Sequence, residues 1–376
     1  MATIAVVGAG PAGCSAAYHL TNSGHDVTLI DKAKFPRDKT CGDGISTGTI
    51  HALAAMGIYP RDLERSAAEW ARIEGTIIGA PDGEVNVYAG SIVGYCVPRY
   101  VLDNLLFERA LQSGCKSETR HVRSLSELAG EADWIIDARG VYAGESNVVG
   151  VRNYWEVATD ALSPDERNKI QIHFQDSLGA GYGWIFPVAH RNGITRLNVG
   201  VGIWKRDADA SGTSISEVFE RFVESNPRAK ALSHSTVSKD RVRGHHLAMA
   251  KKSNRVAEGK VLRIGDAANL TDPVTGEGIQ NAILSGLLVT QAITMSTTPA
   301  AIPYNWQRLY EDSFEQHLRA GLLANYALRS RWFKNALVHA MNRDVRIAER
   351  VNAGVCDLIR YNELLPSLLR ALTKAP

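Results

Sequence analysis

Gly8-Ala9-Gly10-Pro11-Ala12-Gly13 is the stretch that decides the fold. It follows the β-branched run Thr3 to Val7 and opens an alanine-rich segment, Ala12 to Ser23, that stops at Gly24. A second apolar run, Asp26 to Ile30, then ends on Asp31. The order is strand, turn, helix, strand, with an acid about 20 residues beyond the turn. Gly8 permits the tight bend, Gly10 lets the backbone approach a diphosphate, and Gly13 lets the helix pack against the strand. Pro11 and Ala12 start the helix, where unpaired N–H groups and the helix dipole favour an anion. Asp31 is placed to accept hydrogen bonds from a ribose. The turn predicts a dinucleotide-binding fold without choosing between a nicotinamide and a flavin dinucleotide.

At 376 residues the chain exceeds an average domain of ~100–200 residues, so two lobes are expected. A composition of 45% hydrophobic and 22% charged residues is that of a globular protein, and a net charge of +2 gives no reason to expect nucleic acid. The five cysteines, Cys14, Cys41, Cys96, Cys115 and Cys356, are scattered and never spaced as CxxC, which argues against a disulfide framework and a zinc site. No basic leader and no run near ~18 apolar residues is visible, so a cytoplasmic protein with at most peripheral membrane contact is expected.

Further along, Trp70 to Tyr88 alternates around Ala80-Pro81-Asp82-Gly83 and predicts a hairpin. Lys32 to Ser46 reads as loop, Leu102 to Gln112 as helix, Trp134 to Asp137 and Val261 to Gly265 as short strands. Between Trp155 and Met249 the pattern is strand-rich, with a hairpin joining Gly183–Val188 to Thr195–Ile203 across His190-Arg191-Asn192-Gly193. After Gly278 everything reads as helix. The expected fold class is α/β: a Rossmann-type nucleotide domain (1–70, 95–150 and 255–300), an inserted, mostly antiparallel sheet domain for substrate (71–94 and 151–254), and C-terminal helices (301–376).

Four stretches resemble the geranylgeranyl reductase family of FAD-dependent oxidoreductases, which share the p-hydroxybenzoate hydroxylase fold. They are Phe35-Pro36-Arg37-Asp38-Lys39-Thr40-Cys41-Gly42-Asp43-Gly44; Val97-Pro98-Arg99 running on to Arg109; Gly181-Tyr182-Gly183-Trp184-Ile185-Phe186-Pro187 with Asn198-Val199-Gly200-Val201-Gly202; and Gly265-Asp266-Ala267-Ala268 with Asp272-Pro273-Val274-Thr275-Gly276-Glu277-Gly278-Ile279 and Ser285-Gly286. The resemblance runs from Ala5 to about Gly286. It implies non-covalent FAD held by Gly8, Gly10, Pro11, Ala12, Gly13, Asp31, Lys32, Arg37, Cys41, Gly42, Arg99, Asp137, Gly265, Asp266, Pro273, Gly276, Gly278 and Ile279. It also implies a substrate cavity walled by Tyr182 and Trp184. A helix N-terminus at the flavin's N1 and O2 edge would favour the anionic reduced ring. Asp137-Ala138-Arg139-Gly140 departs from the family's Asp-Ala-Asp-Gly or Asp-Ala-Thr-Gly, which leaves the route of flavin reduction open.

The expected chemistry is redox modification of a largely apolar isoprenoid or natural-product substrate by hydride transfer at flavin N5. A single-component monooxygenase is the alternative, and a halogenase or a non-catalytic flavin protein stands further off. Gly276-Glu277-Gly278 with Ser285-Gly286 favours the reductase, and no lysine falls between Lys39 and Lys116 to serve a halogenase. Cys41 is the candidate proton donor, against a packing role; Tyr182 and Trp184 are cavity walls. No second GxGxxG exists, so NAD(P)H docks transiently or a reductase partner supplies electrons. His245-His246 lacks an acidic or Cys cluster, so no metal is expected. Lys251, Lys252 and Arg255 read as a solvated loop or a phosphate contact, and Leu364 to Leu372 as a core-packing helix or a membrane-contacting one.

Overall fold

Thr3–Val7 is a strand buried on both faces, and such strands sit inside parallel sheets covered by helices. It pairs in parallel with Asp26–Asp31 on one side and with Trp134–Asp137 on the other. In the computed structural model, which describes residues 1–66, 69–88, 94–142, 146–251, 254–356 and 358–373, these strands centre a six-stranded sheet. Its order is Ala257–Glu258, Val261–Arg263, Trp134–Asp137, Thr3–Val7, Asp26–Asp31, Lys116–Thr119, parallel apart from the first pair. Lys252 and the side chains of Ser367, Leu369, Ala371 and Leu372 lie outside the described residues.

The helices Pro11–Asn22 and Ile279–Met295 pack together on this sheet at close range. Ser15 Oγ donates to the Ile283 carbonyl at 2.7 Å, and a Cβ on Gly286 would stand 2.6 Å from the Ala16 nitrogen. Gly286 is therefore a contact between helices, while Ser285 Oγ accepts from the Gly265 N–H at 3.0 Å.

An eight-stranded sheet faces this layer. Its order is Thr236–Lys239, Val148–Ala158, Ile194–Trp204, Tyr182–Arg191, Lys169–His173, Gly75–Ala80, Gly83–Tyr88, with Arg243–Leu247 also paired to Val148–Ala158. It is antiparallel except where Lys169–His173 runs parallel to Gly75–Ala80. The central hairpin is longer than its hydrophobic pattern predicts, because Asn192 and Gly193 alone make the turn, both at positive φ (52° and 75°), as a tight two-residue connection requires. A third, three-stranded sheet joins Gly44–Ser46, Gly94–Cys96 and Ala71–Ile73, so the loop expected over Lys32 to Ser46 ends in a strand.

The strand-rich reading of 155–249 needs one correction. Lys205–Ser211, Ile215–Ser225 and Pro227–His234 are helices. Ser214 and Glu217 form a capping box, and Val218, Phe219, Phe222 and Val223 are buried against the sheet. The C-terminal helices cover the far edge of the larger sheet: Tyr361, Leu364 and Leu368 pack with Leu337, Val338 and Met341 onto Ile78, Val85 and Val87. The described part of the 364–372 run thus belongs to the core. Among the described residues, no helix is long and apolar enough to cross a membrane.

Candidate active site

The C-terminal ends of the parallel strands and the inner face of the larger sheet enclose a cavity of about 670 Å³. Ligands of open α/β sheets bind at those strand ends. Gly8, Gly10, Pro11, Ala12, Asp31 and Lys32 line one end. Gly8 holds φ at +105°, and a Cβ on it would lie 2.2 Å from the Ala138 carbonyl oxygen, so only glycine suits this turn. Asp31 braces the turn: its two carboxylate oxygens accept from the Ala9 and Ala33 N–H groups at 2.7 and 2.8 Å.

The N-terminus of Pro11–Asn22 has no side-chain cap, and the Arg37 guanidinium lies 3.6 Å from where a Cβ on Gly10 would stand. A helix N-terminus with open N–H groups beside a guanidinium is a donor set for a diphosphate. The backbone cradle is free of side chain at the point where a nucleotide must approach. The residues present fit a dinucleotide at this end.

The segment Arg37 to Asp43 crosses the cavity, and every charge on it is tied to a different element. Arg37 pairs with Asp103 at 2.7 Å, Asp38 with Arg152 at 2.6 Å and Arg243 at 3.1 Å, and Lys39 with Asp266 at 3.1 Å. Asp103 is fully buried and also receives Arg99 through two bonds of 2.7 and 2.8 Å. Burial alone would raise the Asp103 pKa; Arg99, Arg37 and Lys39 hold it below the ordinary carboxylate value. Asp266 behaves alike, its burial outweighed by Lys39, a hydrogen bond from Thr271 at 3.0 Å and Arg99.

Pro273, Gly276, Gly278 and Ile279 reach the cavity at the start of the helix Ile279–Met295. Asp272 shapes this turn by accepting from the Val274 and Thr275 N–H groups and from the Tyr361 hydroxyl, each at 2.8 Å. Glu277 accepts from Thr49 Oγ1 at 2.8 Å and the Gln280 N–H at 3.0 Å; burial raises its pKa, and Asp272 adds to the rise.

Of the residues expected here, Gly13, Asp137 and Gly265 stand back from the cavity wall. A Cβ on Gly13 would strike the Gly8 carbonyl at 1.7 Å, and one on Gly265 would meet Ala12 at 2.8 Å. Both glycines allow close packing. Asp137 is buried and engaged by Arg139 through bonds of 2.9 and 3.0 Å, so the unusual arginine has its partner next door. His245 lines the cavity with a pKa lowered by burial to about 4, and among the described residues no group of His, Cys, Asp or Glu could hold a metal ion.

The wall contributed by the larger sheet is mostly apolar, while Arg120, His121, Arg123, Arg139 and Arg243 also line the cavity. Tyr182, Trp184, Phe186, Ile203, Trp204 and Met249 form a floor contributed by the larger sheet, next to Cys41 and Gly42. Burial pushes the Cys41 thiol pKa up, and Arg99 beside it pulls the other way. Sequence reading missed what fixes this floor: Asn198 accepts from Trp184 Nε1 at 2.9 Å and donates to Asp43 Oδ2 and the Cys41 carbonyl, both at 2.7 Å. The motif containing Asn198 was visible; its partner 155 residues away was not.

Residues 3–90 match the family model for FAD dependent oxidoreductases. Digeranylgeranylglycerophospholipid reductase 1 of Methanopyrus kandleri is 28% identical over 353 residues, covering 84% of this chain and 86% of that protein. Menaquinone reductase of Mycobacterium tuberculosis is 27% identical over 365 residues, covering 86% and 84%. Among solved structures, a geranylgeranyl bacteriochlorophyll reductase-like protein from Thermoplasma acidophilum superposes with a TM-score of 0.72 at 20% identity, over 99% of this chain and 96% of that one. A flavin-dependent brominase gives the same TM-score at 17% identity, over 99% of each. The last two show a shared fold. The chain is accordingly an FAD-dependent oxidoreductase, similar over most of its length to the geranylgeranyl reductases.

Proposed function

We propose that this enzyme reduces carbon–carbon double bonds of a largely apolar, isoprenoid-like substrate. The observation that carries the reading is the aromatic floor of Tyr182, Trp184, Phe186 and Trp204, continuous with the end of the cavity that suits a dinucleotide. Such a surface gains from burying hydrocarbon, about 25 cal/mol per Å². The names of the relatives, reductases of a digeranylgeranyl lipid and of menaquinone, point to the same class.

In this reading Arg37 and the N-terminus of Pro11–Asn22 would hold the FAD diphosphate, with Asp31 and Lys32 at the adenosine ribose. Asp266 would hold the ribityl chain. Arg99, Cys41, Gly42, Pro273 and the Gly276 to Ile279 turn would surround the flavin. When bound and reduced by two electrons, FAD would supply the hydride and end oxidised. Cys41 keeps a proton on Sγ at neutral pH, since burial raises its pKa, and stands ready to give it to the second alkene carbon. Tyr182 and Trp184 exclude water and align the chain. Electrons reach the flavin from NAD(P)H docked transiently at the cavity, or from a reductase partner.

The test is anaerobic. Chemically reduced holoenzyme mixed with a geranylgeranyl substrate should reoxidise its flavin and yield a product carrying two more hydrogens per reduced bond. Product formed only when oxygen is admitted would overturn the reductase reading in favour of oxygen chemistry, since one fold can host several chemistries. Repeating the reaction with NADH or NADPH as the sole reductant separates direct docking from a partner.

A further inference from the structure

Asp43 is fully buried, at a φ of +64°, with its carbonyl accepting the Val97 N–H at 2.9 Å. Its Oδ2 accepts from Asn198 and from the Tyr154 hydroxyl, while Oδ1 is buried with no hydrogen-bond partner. A half-satisfied buried carboxylate is costly and calls for a reason. The Asn198 amide has only one workable orientation, because the indole N–H can only donate and the carboxylate oxygen accepts. One side chain therefore fastens the cavity floor, the cavity loop and a buried acid together. The packing is as tight as the bonding: a Cβ on Gly200 would stand 2.2 Å from the Trp184 ring, and one on Gly42 3.1 Å from Phe186.

We propose that Asn198 and Asp43 are positioning residues of the reaction cavity: Asn198 locks the Trp184 indole and the Cys41–Gly42 peptide to Asp43, whose buried charge adds to the burial that slows reaction of the Cys41 thiol. The inference rests on the reading of this cavity as the reaction chamber. The groups that face Asp43 are Tyr154 and Arg152 on one strand, Asn198 on the next, Arg99 at the start of its helix, Cys96 from the small sheet, and Cys41 on its own loop. Tyr154 is itself held between two guanidinium groups, Arg152 at 4.0 Å and Arg196 at 4.1 Å from its ring. Burial lifts the Asp43 pKa to about 6 against the pull of Tyr154, Arg152 and Asn198, and the Asp43 charge in turn opposes ionisation of Cys41.

Cys41 is half-buried whereas the other four cysteines are buried, so iodoacetamide labelling of the FAD-loaded protein, located by mass spectrometry, reads it in preference to them. In Asp43→Asn, which keeps the shape and can still accept both bonds, labelling at pH 7 should be about three- to tenfold faster, with the rate profile displaced to lower pH. Tyr154→Phe removes one bond from the carboxylate and should move the profile the same way by less. Asn198→Leu should raise the KM for an apolar substrate about three- to tenfold, with flavin content unchanged, as the floor loses its anchor. Identical Cys41 labelling profiles in wild type, Asp43→Asn and Tyr154→Phe, including no labelling in any of them, would overturn the proposal. An unchanged KM in a flavin-replete Asn198→Leu would do the same. If the labelling shifts while no substrate is reduced anaerobically, the functional reading fails and the coupling stands.

Discussion

At the scale of single residues, the buried acid behind the cavity loop has a thermodynamic signature. The folded chain keeps the Asp43 proton up to about pH 6, whereas the group's ordinary pKa is 3.8. Between those values the folded state binds more protons than the unfolded one, so this residue's contribution to stability falls as pH rises through the window. The burden is complete above pH 6, and a pKa lifted from 3.8 to about 6 corresponds to about 3 kcal/mol. Asp43→Asn should thus be more stable than wild type at pH 8 by up to that order, with the gap closing by pH 4 in urea unfolding. A second prediction concerns the floor. Gly202 lines the cavity, and a Cβ there would find only Trp184, at 3.9 Å. Gly202→Val should fit the fold, retain FAD, and raise KM most for the bulkiest substrates, on the order of tenfold. The glycine turn at Gly8 to Gly13 was legible in the sequence because its conformation admits so few residues. Asp43 and Asn198 were not, because their meaning arises where two distant strands and a loop meet.

At the scale of elements, periodicity carried far and failed where two periods mixed. The buried parallel strands announced themselves as short β-branched runs, and the Asn192-Gly193 turn through its residue pair. The helices between Lys205 and His234 were hidden inside a strand-rich block, although Ser214 and Glu217 advertise an N-terminus and four apolar residues follow at helical spacing. Their role explains their pattern: Phe222 is fully buried, and a Cβ on Gly183 would stand 2.1 Å from its ring, so strand and helix touch without an intervening side chain. Phe222→Ala should cost about 3–5 kcal/mol in denaturant unfolding, because the bare strand beneath offers nothing to refill the space. A loss below about 1 kcal/mol would mean that the helix floats on the sheet.

At the scale of the whole molecule, the site lies in the seam between the two large sheets, with the C-terminal helices closing the far edge. A ligand bound in a seam stabilises both walls at once. Thermal unfolding should rise with FAD concentration, by about 2.7 kcal/mol at a hundredfold excess over Kd, and the protein stripped of flavin should show the lower transition. Flavin that left the transition temperature unmoved would place its site elsewhere.

The segment from Arg37 to Asp43 has a consequence in time as well as in space. Its partners sit at positions 103, 152, 154, 198, 243 and 266, so none is near it along the chain. Contacts of such sequence separation are slow to form, and those to Arg152, Tyr154, Asn198 and Arg243 need the larger sheet in place. The loop is expected to order late, and, if its residues hold the flavin as proposed, a newly made chain should retain flavin only towards the end of folding. In refolding experiments, flavin capture should lag the appearance of sheet structure, and Asp38→Ala should lengthen the lag while leaving the earlier phase untouched.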